Sequence, residues 1–454
     1  MPNHDLFGAE IELTDAQART AWDAMMMQFL AHGSDTPIHL ATVLEREPKF
    51  ALGHAVKGLM CLLLGRKEMT QIAREASAAA WAALDDCGGS KRCRHMIAAL
   101  DAFLAKQPAK ALAELEQILL AHPADSLAMK LVHAIRFVIG DASGMLRSVE
   151  RVMAAHGEDH PARGYLLGCQ AFALEENGRY REAEAAGLNG LTYTQDDAWG
   201  LHAVAHVMDM THRPQHGIEL IEANKSVWIG SNNFRFHVWW HKALLHLDRG
   251  EMDVALALYD QKIRAERTDD YRDIANASSL LVRLELEGVN IGERWEELAD
   301  LAENRADHGG LVFADLHYML ALIGGERRQA ADILQSQMMR NAKADDPMAN
   351  IIADPGLAAV SGLVAFGEGR YESAFTLLDH SLSALPLIGG SHAQRDVFER
   401  ITVDAGLRAG QLDMVEDILK TRRILRAGHS DQFDASRMQQ IAKARALAVT
   451  VPAQ

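Results

Sequence analysis

"LEENGRYREA" (residues 174–183), "HLDRGEMDVA" (246–255) and "AFGEGRYESA" (365–374) follow one plan. In each, a helical run ends on a glycine, an aromatic or apolar residue stands two positions on, and an alanine three further. Gly178, Gly250 and Gly369 supply the left-handed conformation with which a chain leaves a helix. Ala183, Ala255 and Ala374 are small enough for a returning helix to lie close. The stretch predicts a helical hairpin, and its recurrence predicts an array of them, because one hairpin cannot bury its apolar face alone.

Working outward from these copies, turns fall at Gly65, Lys106, Gly140, Gly178, His212, Gly250, Gly288, Gly325, Gly369 and Gly410, at intervals of 34 to 44 residues. "AHPAD" (121–125) places a proline that closes one hairpin before the next begins. Apolar residues recur at three- and four-residue steps, and no run alternates with period two, so strands are not expected. The expected fold is all-α: a right-handed superhelix of about ten hairpins, a tetratricopeptide-like solenoid, with the first helix of each pair lining a concave groove. It runs over residues 1–454 as one array, with central hairpins at 197–265 and a C-terminal hairpin with capping helix at 385–454.

Composition narrows the partners. The net charge is −16, and nucleic acid or an anionic membrane both call for a basic face. Cys61, Cys87, Cys93 and Cys169 form no C-x-x-C pair, which suits free thiols in a reducing compartment. "MPNHDLFGAEIEL" lacks the basic start and apolar run of a signal peptide, and apolar runs such as "GLMCLLLG" are too short to span a bilayer. A cytoplasmic protein is expected.

Within this frame the histidines stand out. "GLHAVAHVMDM" (200–210) sets His202 and His206 four apart, and "FHVWWHKALLH" (236–246) sets His237 and His241 four apart. In a tetratricopeptide-like hairpin, residues thirteen, ten, six and three before the turn face the groove. Counting back from His212 gives His202, His206 and Asp209; counting back from Gly250 gives His237 and Trp240, with His241 beside them. A pair four apart shares a helix face, and neighbouring helices lie about 10 Å apart. Two such pairs could close around a divalent metal such as zinc. The imidazoles could equally work without metal, as acid and base, with Asp209 holding one ring's tautomer. Coincidence and core packing remain the plain alternative. No His-Glu-x-x-His is present.

A second block, "LPLIGGSHAQRDVFER" (385–400), places Gly389 and Gly390 before Ser391, an N-cap candidate. Exposed N–H groups at such a start can hold an anion. His392, Arg395 and Asp396 lie on one side of the helix, as an anion clamp or as a surface pair. Asp315 falls ten before Gly325 and hence on the groove; Arg235 could reach an anionic ligand; Trp240 could stack on one, with Trp239 in the core. Asn233 is a candidate helix cap. No Walker loop, Rossmann fingerprint or Gly-x-Ser-x-Gly elbow is present.

"WGLHAVAHVMDM", "FHVWWHKALLHLDRGEMDVALALYD", "FADLHYMLAL" and "GGSHAQRDVFER" together resemble signature stretches of the tetratricopeptide repeat protein 38 family. The resemblance runs over nearly the whole chain and implies an all-helical solenoid without implying a particular chemistry. The turn "THRPQHG" departs from the glycine usual there.

Two functions follow. The first is a small-molecule binder, and an enzyme of the hydrolase or lyase type, acting on a small polar or anionic substrate. His202, His206, Asp209, His237, His241 and His392 would be its catalytic residues, and Trp240, Arg235, Asp315, Arg395 and Asp396 would bind substrate. A metal, if one serves, would sit on His202, His206, His237 and His241. The second is an interaction scaffold or ligand sensor holding a peptide or protein in the groove, and either form leaves room for a homo-oligomer.

Overall fold

The computed structural model describes residues 3–450. Helices fill the described chain almost throughout. The exception to the all-α expectation is a short antiparallel pair, Asn3–His4 with Glu10–Ile11.

The predicted turns are where the hairpins bend. Gly178, Gly250 and Gly369 adopt φ of 73°, 75° and 74°. Behind each, the next residue's N–H reaches back to the carbonyl five positions earlier, all at 2.9 Å: Arg179 to Leu174, Glu251 to His246, and Arg370 to Ala365. These bonds satisfy carbonyls that a helix end would otherwise leave bare. Ala183, Ala255 and Ala374 are fully buried, as the close return of the second helix requires. Lys106 and His212 hold the same left-handed conformation without being glycine, at φ of 56° and 53°.

One turn differs from the sequence expectation by a single residue. The left-handed position is Glu326 (φ 56°), not Gly325 (φ −90°). Gly325 is small for another reason: a Cβ there would stand 2.3 Å from the Cβ of Ala299. Its hydrogen atom marks a close helix approach rather than a turn.

The chain divides into two compact units. The first comprises Met1–Val204, Ala223–Arg235 and Ala344–Asn350; the second comprises Ala205–Glu222, Phe236–Lys343 and Ile351–Gln454. In the first, Lys91–Leu104 returns as Pro108–Ala121, Ser126–Val138 as Ala142–Val152, and Arg163–Glu176 as Tyr180–Tyr193. Ser90, Asp125 and Asp141 cap three of these helices by accepting a backbone N–H.

In the second unit, Tyr271–Leu286 returns as Arg294–Glu303, Val312–Gly324 as Arg328–Asn341, Leu357–Gly367 as Tyr371–Leu382, and His392–Arg408 as Leu412–Leu425. Phe375, Val403, Val415, Leu419, Phe433 and Ile441 form a core that joins four helices, Tyr371–Leu382, His392–Arg408, Leu412–Leu425 and Gln432–Thr450. The run Pro347–Gly367, 21 residues with a mean hydropathy of 1.5, is long and apolar enough to cross a membrane, unlike the shorter runs singled out in the sequence, and half of it is buried. It is broken at Asp354, whose φ of −149° and ψ of 119° are not helical.

Candidate functional site

The second unit gathers most of the candidate residues. His206 and Asp209 lie at the end of the helix Ala198–Met210, and His237, Trp240 and His241 on Phe234–Asp248. His392, Arg395 and Asp396 start the helix His392–Arg408. That start is built as the sequence suggested. Ser391 Oγ accepts from the Gln394 N–H at 3.3 Å, and Gln394 Oε1 accepts from the Ser391 N–H at 3.0 Å. This reciprocal pair fixes the direction from which His392 leaves the turn.

Three imidazoles converge. Nε2 of His241 lies 3.0 Å from Nε2 of His206 and 3.0 Å from Nε2 of His237. On the far side of His206, Nδ1 stands 3.3 Å from Nε2 of His392. Nδ1 of His237 donates to Asn276 Oδ1 at 3.3 Å, an oxygen that also accepts from Gln394 Nε2 at 3.2 Å. Burial, reinforced by His206, pushes the pKa of His237 down to about 3, so its ring is neutral at ordinary pH. Trp240 is enclosed rather than offered to a ligand: it stacks on His237 at 5.3 Å, edge-on to His241 at 4.8 Å. Trp239 is buried as expected.

Beside the imidazoles is a cavity of about 170 Å³, to which His392 contributes a wall. Five arginines line it: Arg283, Arg395, Arg400, Arg422 and Arg426. Four carboxyls face them: Asp209, Asp248, Asp396 and Glu399. Asp209 does not hold a histidine tautomer by this geometry; its carboxylate takes Arg426 Nη2 at 2.7 Å. Burial works against the charge of Asp209, but Arg426 outweighs it and holds the pKa low. Asp248 shares the same guanidinium at 3.0 Å, and burial together with Asp209 pushes its pKa well up. One of the two carboxyls thus keeps its proton.

Asp396 is a hub rather than a surface partner. It receives Arg400 Nε at 2.6 Å, Arg422 Nη2 at 2.7 Å and Arg283 Nη2 at 3.3 Å, and these cations overcome burial to hold it ionised. Burial raises Glu399 to about 7. Behind the arginines, Asp431 takes Arg422 at 2.7 Å and Arg426 at 3.5 Å. With Asp248 and Glu399 drawn toward the protonated form, Arg283, Arg400, Arg422 and Arg426 face three firmly ionised carboxylates, Asp209, Asp396 and Asp431. The least compensated is Arg283. It is 1% exposed, its Nε has no hydrogen-bond partner, and burial pushes its pKa down to about 10 despite Asp396.

Other candidates stand apart from this cavity. Asp315 is buried in its own hairpin, where burial raises its carboxyl to about 7, eased by the Gly310 N–H. His202 and Arg235 belong to the first unit. There His202 is buried against Phe172, Trp199 and Phe234, with Nδ1 3.1 Å from the Trp199 carbonyl. Arg235 donates to the Ser231 carbonyl at 3.1 Å. Asn232 accepts the Phe234 N–H at 3.0 Å at the start of that helix. The four cysteines are free, and burial raises the Cys169 thiol to about 11.

Sequence reasoning passed over Asn276, Arg283, Arg400, Arg422 and Arg426, and Asp248. Only Asp248 carried a signal: it stands in the last turn of its helix, as Asp209 does, where the helix dipole disfavours an anion.

No family model matches the chain. Solved structures similar to it include a human IFIT1 dimer with PPP-AAAA, at 12% identity over 87% of this chain and 95% of that one, with a TM-score of 0.40. Naa15/Naa10 bound to HypK-THB is similar at 12% identity over 90% of this chain and 64% of that one (TM-score 0.26). The TPR domain of P58(IPK) is similar at 12% identity over 80% of this chain and all of that domain (TM-score 0.23). The chain is a tetratricopeptide-like helical repeat protein by its own hairpins.

Proposed function

We propose that this helical-repeat protein binds a small anionic molecule in the arginine-lined cavity of its second unit. The excess of guanidinium over ionised carboxylate there, in a chain of net charge −16, supports the reading. Uncompensated buried cations are costly, and an anion of matching size removes the cost. The volume suits a ligand of roughly six to ten non-hydrogen atoms, a carboxylate or phosphate rather than a nucleotide. His392 and Glu399, the latter's carboxyl raised by burial to about 7, are wall residues able to move a proton, so hydrolysis or elimination at this position falls to them. The proposal takes in the sequence resemblance to the tetratricopeptide repeat protein 38 family, whose matching blocks carry His206, His237, His241 and His392.

The hairpin array supports a second reading at least as directly. Stacked hairpins expose extended surfaces, and a scaffold that holds a peptide or protein partner needs no chemistry in the cavity.

Thermal melting separates the two. Sulfate, phosphate and small mono- and dicarboxylates, compared with chloride at equal ionic strength, are expected to raise the melting temperature saturably. A ligand at a hundred times its Kd adds about 2.7 kcal/mol. Arg395→Met, at a half-buried position on the cavity wall, is expected to abolish the rise while leaving the fold intact. No saturable shift with any small anion would leave the scaffold.

A further inference from the structure

We propose that His206, His237 and His241 form a divalent transition-metal site, with Asn276 as its outer support. This inference does not depend on the anion reading.

The three rings hold too few protons for their contacts. A neutral imidazole has one N–H and one lone pair. Nδ1 of His237 faces the amide oxygen of Asn276, which can only accept. That nitrogen therefore donates, and Nε2 of His237 carries a lone pair. The amide is held in this orientation because the same oxygen accepts from Gln394. Nδ1 of His206 faces His392 Nε2, and when it donates there, Nε2 of His206 also presents a lone pair. Both lone pairs point at one atom, Nε2 of His241, at 3.0 Å. That atom has at most one hydrogen to give. One of the two contacts then sets lone pair against lone pair, which a cation between them relieves.

The geometry agrees. One nitrogen from each of the three rings lies within 4.8 Å of the others. Ligand nitrogens about 2.0–2.1 Å from a tetrahedral zinc stand roughly 3.3 Å apart, so the two contacts to His241 need to open by a few tenths of an ångström. All-imidazole donors suit zinc, cobalt, nickel or copper better than magnesium or calcium. The Asn276–His237 bond has the form of the outer-shell contacts that fix the tautomer of a metal-bound histidine. The fourth position falls to a ligand outside this trio.

The test uses full-length protein carrying no affinity histidines. After chelation and dialysis it is titrated with Zn²⁺ and with Co²⁺. Close to stoichiometric binding is expected, with the visible bands of cobalt bound by nitrogen. His241→Gln and His237→Gln are each expected to abolish tight binding and the bands while circular dichroism stays unchanged. Asn276→Ala is expected to weaken binding about 10- to 100-fold. His246→Gln, which changes a histidine paired with Glu251, is expected to change nothing. Two variants guard against misfolding in either. Failure of the wild type to bind, or equal binding by wild type and both folded glutamine variants, would overturn the site. Anion-induced melting shifts, measured in metal-free protein, report separately on the cavity.

Discussion

Nε2 of His392 stands 3.3 Å from Nδ1 of His206, across 186 residues of sequence. His392 therefore belongs to two structures at once: it walls the arginine-lined cavity and orients the imidazole trio. His392→Ala is expected to weaken metal retention about tenfold or more and to reduce anion-induced stabilisation in the same variant. Arg395→Met is expected to reduce only the latter. Chelator competition and melting with sulfate measure the two effects. Loss of one without the other in His392→Ala would separate the sites.

The ion pairs inside the second unit differ sharply from those on its surface. Arg426 reaches Asp209, Asp248 and Asp431 while 6% exposed. Its replacement by methionine strands buried carboxylates, and the expected loss is about 3–5 kcal/mol. Arg445, by contrast, pairs with Asp413 and Glu416 in solvent. Arg445→Met is expected to leave the melting temperature nearly unchanged, because exposed pairs are screened. Calorimetry on the two variants side by side decides whether the buried network carries stability.

Asp315 ties stability to pH. Its carboxyl, raised by burial from 3.8 to about 7 in the folded chain, keeps a proton that the unfolded chain has already lost. Stability from this group is therefore full below about pH 4, falls as pH rises, and stays reduced above about pH 7. Asp315→Asn, neutral throughout, escapes the loss. Its melting temperature relative to wild type is expected to climb across that window. A constant difference would mean that the carboxyl does not titrate there.

The hairpins were legible in the sequence because glycine marks the left-handed turn and alanine the close return, and both are local properties. The histidine pairs were legible because residues four apart share a helix face. Their depth was not, since helical phase gives a direction and not a distance from solvent: His206 and Trp240 are fully buried, not spread along an open groove. The arginines were invisible for a different reason. Arg283, Arg422 and Arg426 stand in no motif, and nothing in one sequence says that Arg283 donates to the Ala393 carbonyl 110 residues away. Asp315 shows the same gap from the other side, a carboxylate placed by phase on the groove and found in a packed hairpin.

Gly178, Glu326 and Gly325 separate two uses of a small residue. At Gly178 φ is 73° and an added Cβ would meet nothing within 4 Å, so Gly178→Ala pays only backbone strain, about 1–2 kcal/mol. Glu326 already bears that strain at φ 56° and is exposed. Glu326→Gly relieves it, and after the added freedom of the unfolded chain a gain of about 0.5–1 kcal/mol is expected. At Gly325 the backbone is ordinary, but a Cβ would press on Ala299 at 2.3 Å, so Gly325→Ala is expected to cost about 1–3 kcal/mol through overpacking. Combining Gly325→Ala with Ala299→Gly is expected to recover most of that loss, since the steric conflict goes with the second methyl. In Gly178→Ala the same partner change is expected to relieve nothing and to add its own cost, about 0.5–1 kcal/mol for a glycine inside a helix. Denaturant melts of the five variants measure each difference, and rescue of Gly178→Ala by Ala299→Gly would refute the assignment of its cost to backbone alone.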